Sequence, residues 1–231
     1  HAVNTTGGGV LNKGTFTLWN GKISGNTAVT GAGVSSDGIF YMYGGSITGN
    51  NAPKPSNGTA CGGGVWSNCK FTMAGGIINS NTSTGYGGGV CNWGGTFTMT
   101  GGEITNNIAE ELGGGLLNYY DFTTTISGSA KITGNTVDNA ANNVYLPSGK
   151  TITIGDTLTG SANSIGVTVA SPSEGVIVAT QAGSADEAKF SSDDSSYEIR
   201  LSGTDLLLVT AGSVPVSYTH LRAHETREDL V

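Results

Sequence analysis

The stretch "FTMTGGEITNN", residues 97–107, carries two signals. Its first half alternates apolar and polar residues, which puts Phe97 and Met99 on one face of a strand and Thr98 and Thr100 on the other. Gly101 and Gly102 interrupt the run, and "EIT" starts a second extended segment ending in asparagine. Near-copies stand at 16–26, 40–50 and 71–81 as "FTLWNGKISGN", "FYMYGGSITGN" and "FTMAGGIINSN". A strand, a tight bend and an asparagine repeated at a fixed period signal a solenoid.

A third element precedes each copy. It reads "GGGV" at 7–10, 62–65 and 87–90, "GAGV" at 31–34, "GGGL" at 113–116, and degenerately "NNVY" at 142–145. From Val10 through Val34, Val65, Val90 and Leu116 to Val144 the steps are 24, 31, 25, 26 and 28 residues. Four more columns keep register: Phe16, Phe40, Phe71, Phe97 and Phe122; Leu18, Met42, Met73, Met99 and Ile126; Ile23, Ile47, Ile78, Ile104 and Ile132; Asn26, Asn50, Asn81, Asn107 and Asn135.

Three short apolar segments between glycine or asparagine corners leave no room for a sustained helical period, and paired glycines would break one. The expected fold is all-β: a right-handed parallel β-helix with three strands per coil of about 25 residues, its hand following the preference of parallel connections. In-register stacking explains the composition. Like residues land above one another, so inward Phe and Met pack in columns and asparagine amides form a hydrogen-bonded ladder through Asn26, Asn50, Asn81, Asn107 and Asn135. Charges, only 12% of residues, stay sparse because a column of like charges repels itself.

Three regions are expected. Residues 1–145 are repeats that open mid-pattern, since "NTT" before the first "GGGV" matches "NTS" at 81–83, which predicts further coils upstream. Residues 146–212 leave the pattern but keep strand-like runs, as irregular last coils and a C-terminal cap would. Their acidic "SSDDSSYE" is expected on a solvated cap loop. Residues 213–231 join nothing upstream and resemble a translated sequencing-library adaptor, so they are read as an artefactual tail without fixed structure. His220, His224 and Glu225 are accordingly not read as a metal site.

Charge and cysteine content narrow the function. The net charge of −7 is concentrated after residue 145, and no basic stripe suits nucleic acid or an anionic membrane. No run reaches the roughly 18 apolar residues of a membrane-spanning helix. Cys61, Cys69 and Cys91 lack zinc-ligand spacing and are read as small half-buried side chains without a disulfide framework.

The pairing of "GGGV" with "ISGN", "ITGN", "INSN" and "ITNN" resembles the repeats of chlamydial-type polymorphic outer-membrane proteins. It is also similar to secreted repeat proteins of gut bacteria, whose coils end in segments like "LPSGKTITI" and "LTG" at 146–160. The resemblance covers roughly residues 5–210. It implies the pectin-lyase-like superfold, export to the bacterial cell surface and a role in adhesion.

The competing reading is a carbohydrate-active enzyme, a lyase or glycosidase, with its active residues outside this stretch. Such chemistry needs paired carboxylates or a base beside bound calcium. In the coils Glu103 aligns with Lys22, Ser46 and Ile77, and Glu110 and Glu111 fall in a variable corner. No catalytic residue, cofactor or metal ligand is assigned. Binding has better candidates: Trp19, Tyr41 and Tyr43 are expected to face outward on adjacent coils, where aromatics hold sugar rings. The insertion "NAPKPSNGTAC" at 51–61 adds Lys54 and Asn57, since insertions in solenoids gather on one face. The expected function is a non-catalytic extracellular adhesin or stalk contacting glycans or surface proteins.

Overall fold

The computed structural model describes residues 6–213 apart from 57, 121 and 122, and these build a parallel β-solenoid of about seven turns. The "GGGV" segments form the first sheet, in which Val10, Val34, Val65, Val90, Leu116 and Val144 stand directly above one another. The "FTM" segments form the second, with Leu18, Met42, Met73, Met99 and Ile126 in one column. The "EIT" segments form the third and align Ile23, Ile47, Ile78, Ile104 and Ile132. These inward columns fuse into one apolar core. Phe40, Phe71 and Phe97 are fully buried there, with neighbouring rings 4.6 and 5.2 Å apart.

Two features depart from the sequence reading of the coil. A two-residue strand follows the asparagine corner, and Asn51–Ala52, Thr82–Ser83, Ile108–Ala109 and Thr136–Val137 stack as a short fourth ladder. The phenylalanine column also ends a coil earlier than expected. Phe97 faces Thr124, not Phe122, which lies outside the described residues. The reason is the strand period: with Ile126 in the methionine column, its same-face neighbour must lie two residues away, at 124.

The asparagine ladder forms as expected and is buried from Asn50 to Asn135. Each asparagine donates its backbone N–H and its Nδ2 to the Oδ1 of the next, at 2.9–3.1 Å, from Asn26 through Asn50, Asn81 and Asn107 to Asn135. The other amide hydrogen goes to the isoleucine carbonyl of the preceding coil, as Asn107 Nδ2 does to Ile78 O at 2.9 Å. Hydrogen bonding this complete offsets the desolvation cost of burying the amides.

The ladder continues where the repeat fades. Thr136–Val137 folds back antiparallel on Ala140–Ala141, so Asn143, only eight residues on, accepts from Asn135 at 3.0 Å. Asn143 in turn donates Nδ2 and its backbone N–H to the Asp193 carboxylate at 2.6 and 2.7 Å, and Thr168 Oγ1 donates to the same group at 2.7 Å. Asp193 is therefore no solvated loop acid. Every amide points its donor end the same way, so the last partner must only accept, and a carboxylate does so with charge-assisted bonds.

The C-terminal end closes the stack. The strand Ile165–Val169 pairs with both Lys131–Thr133 and Val144–Leu146, merging the first and third sheets. The second sheet runs on through Ile152–Leu158 and Ile177–Thr180. An antiparallel hairpin, Tyr197–Ser202 with Asp205–Thr210, then lies on Ile177–Thr180 and covers its edge. The adaptor-like tail lies outside the described residues from 214 onward.

The cysteine expectation needs correction: Cys61 and Cys91 are joined by a disulfide, their Cα atoms 5.9 Å apart, and Cys69 is free and exposed. Stacking accounts for the pairing. Cys61 lies beside Tyr86 of the next coil, and the glycine turn after Tyr86 folds back until Gly87 abuts the Cys91 side chain. Residues far apart in sequence thus become neighbours one coil apart.

Candidate functional site

Trp19 and Tyr43 each follow the inward residue that ends a strand of the second sheet, Leu18 and Met42, so both turn outward at the corner. The Tyr43 N–H donates to Leu18 O at 2.9 Å, which sets the two corners one above the other. Their rings stack with centroids 4.3 Å apart and planes 16° from parallel. Trp19 is 67% exposed and Tyr43 43%. Above Tyr43 the column passes to Ala74, whose small side chain extends no further ring.

Tyr41 lies two residues before Tyr43 on the same face, its ring 6.1 Å away and nearly parallel. Lys70 of the next coil sets its ammonium 5.6 Å from the Tyr41 ring centroid, within cation–π range. The structure thus brings Trp19, Tyr41 and Tyr43 together and adds Lys70, which sequence reasoning missed. Its signal was register: Lys70 faces Ile39, two positions before Tyr41 on the adjacent strand. An exposed, preformed aromatic platform takes the C–H face of a sugar ring or a planar apolar side chain, and a neighbouring ammonium adds hydrogen-bond donors.

Lys54 belongs elsewhere. It sits in the corner preceding the first sheet, where its Nζ reaches Glu111 Oε1 at 2.7 Å and its N–H donates to Thr84 Oγ1. The Lys54 ammonium, together with a hydrogen bond from Tyr86, holds the Glu111 carboxyl below its ordinary range. The bond to Glu111 raises the Tyr86 phenol in turn. Lys54 is a strut for the insertion, which leaves its charge already partnered. Asn57 lies outside the described residues.

Two of the described coil acids have basic partners. Glu103 pairs with Lys131 of the next coil at 3.2 Å, and Glu111 with Lys54. Among the described residues no group of three His, Cys, Asp or Glu side chains is arranged to hold a metal ion. No helix of the described residues is long and apolar enough to cross a membrane. Comparison with protein-family models, with curated proteins and with solved structures gives no match.

Proposed function

We propose that these coils are a non-catalytic adhesive stalk of an extracellular bacterial repeat protein, with the Trp19–Tyr43 platform as its contact for glycans or surface proteins. The exposed ring stack carries the reading. Two large aromatics held face to face and left open to water give a rigid contact surface that loses little entropy on binding. The scaffold beneath is suited to that work, since every coil is tied to the next by backbone ladders and by the asparagine column. A Cys61–Cys91 disulfide agrees with an oxidising, exported location.

The test is a binding screen of the full chain against arrayed glycans and a panel of surface proteins. A Trp19→Ala/Tyr41→Ala/Tyr43→Ala variant runs beside it. Binding that is lost in the variant, with no reducing sugar released, supports the proposal. Silence on both arrays rejects the adhesive role, and release of sugar from a bound glycan rejects the non-catalytic one.

A further inference from the structure

The insertion at 51–61 builds a second feature on another flank of the solenoid. Its base is packed, with Ala52 and Ala60 fully buried against Ala28 and Ala32. Ala60 O accepts the Tyr86 N–H at 2.9 Å, Lys54 is fastened to Glu111, and Cys61 is bonded to Cys91. Held at these points, the insertion places Thr59 and Cys61 as one side of a groove. Thr30, Trp66 and Trp93 line the remainder, enclosing about 230 Å³.

The two indoles are fixed from behind. Trp66 and Trp93 come from adjacent coils and pack on a small apolar cluster outside the bore of the solenoid, formed by Cys61, Cys91 and Leu117. Trp93 stacks on Tyr119 at 4.3 Å and forms a T-shaped pair with Tyr120 at 5.3 Å. A groove walled by immobilised aromatics is a preformed site.

We infer that this groove is a subsite for one neutral pyranose ring of a glycan chain, separate from the Trp19–Tyr43 platform and independent of it. Its lining residues are Thr30, Thr59, Cys61, Trp66 and Trp93, none of them charged. The insertion's one charged residue, Lys54, is already paired with Glu111. A phosphate, sulfate or uronate would enter without a counter-charge and lose hydration, which disfavours anionic ligands. A sugar ring offers what the walls can use: apolar C–H faces for the indoles and hydroxyls for the threonines. The volume lies below the range of about 300–1,000 Å³ that holds drug-sized ligands, a size that suits a single ring.

The experiment titrates the full chain with four neutral tetrasaccharides, β-1,4-linked glucose, mannose, xylose and N-acetylglucosamine, and with tetragalacturonate. Tryptophan fluorescence and calorimetry are read together. At least one neutral probe is expected to bind saturably. Measured in the Trp19→Ala/Tyr41→Ala/Tyr43→Ala background, which removes the platform's contribution, Thr59→Arg, at an exposed position away from the core, should weaken that binding about tenfold or more. Trp93→Ala should also abolish it, with thermal midpoint and far-UV circular dichroism confirming a folded chain. The assignment is overturned by silence from all neutral probes, by binding of tetragalacturonate alone, or by neutral binding that Thr59→Arg does not weaken. A tyrosine-rich peptide that binds where no sugar does would reassign the groove to a protein partner.

Discussion

Gly89 and Asn107 compete for one volume: a Cβ on Gly89 would stand 2.8 Å from Asn107 Nδ2 and 2.9 Å from Ile104 Cγ2. The same relationship joins Gly33 to Asn50 at 3.1 Å, Gly64 to Asn81 at 2.9 Å and Gly115 to Asn135 at 2.7 Å. The third residue of "GGGV" and the asparagine that closes the coil are thus one packing unit. This is why the two motifs travel together along the chain.

Gly89→Ala should therefore destabilise although its backbone conformation is ordinary. The added methyl also meets Gly115 O at 2.6 Å, and neither backbone nor a buried amide yields cheaply. Overpacking of this kind costs about 1–3 kcal/mol, read as a lower urea midpoint. Gly14→Ala, with nothing within 4 Å of the new methyl, should stay within about 0.5 kcal/mol of the parent.

Asn107→Ala removes the ladder at its centre. It strips the Asn81 N–H and Nδ2 of their acceptor and leaves Ile78 O and Asn135 Oδ1 short of donors. With each orphaned buried group costing about 1–3 kcal/mol, a loss on the order of 3 kcal/mol or more is expected. Amide exchange at Asn81 should accelerate beyond what the global loss accounts for.

Asp193→Asn tests the ladder terminus. Three donors converge on the two carboxylate oxygens, and an amide in that place turns an NH₂ toward one of them. The expected loss is about 1–3 kcal/mol, with faster exchange at the Asn143 amide. An unchanged melting curve would mean that Asp193 only borders the ladder.

Native alkylation should label Cys69 alone, and labelling after reduction should reach all three cysteines. Cys61→Ala/Cys91→Ala opens a loop spanning 30 residues, for which chain entropy predicts a loss of about 3–4 kcal/mol. Labelling of Cys61 in the unreduced native chain would exclude the bridge.

Glu111 gives the insertion a pH dependence. Its folded carboxyl titrates below the ordinary value of 4.5, so its contribution is fully present above that value and is lost as pH falls through the folded value. The pair is about one-third to one-half exposed, which limits its worth to about 1 kcal/mol or less. Proteolysis within 51–60 should rise on acidification below pH 4.5 in the parent, and Glu111→Gln should show the faster cleavage already at neutral pH.

The five columns were legible in the sequence because in-register stacking turns spatial neighbours into a chemical period. Every coil must offer the same side chain to the same neighbour, so Val, Met, Ile and Asn recur wherever the geometry does. The outward turn of Trp19 and Tyr43 was legible for a related reason, since strand alternation continues past Leu18 and Met42 into the corner. Phe122 shows the limit of that reading: where the phenylalanine spacing slipped by two residues, only pairing of Phe97 with Thr124 decided the register. The Cys61–Cys91 bridge, the Lys54–Glu111 strut, the Trp66–Trp93 groove and the ladder's end at Asp193 belong to the tertiary structure alone. Each joins residues through an insertion or a non-repeating cap. There the path of the backbone is set by packing against the finished coils, and no period survives to announce it.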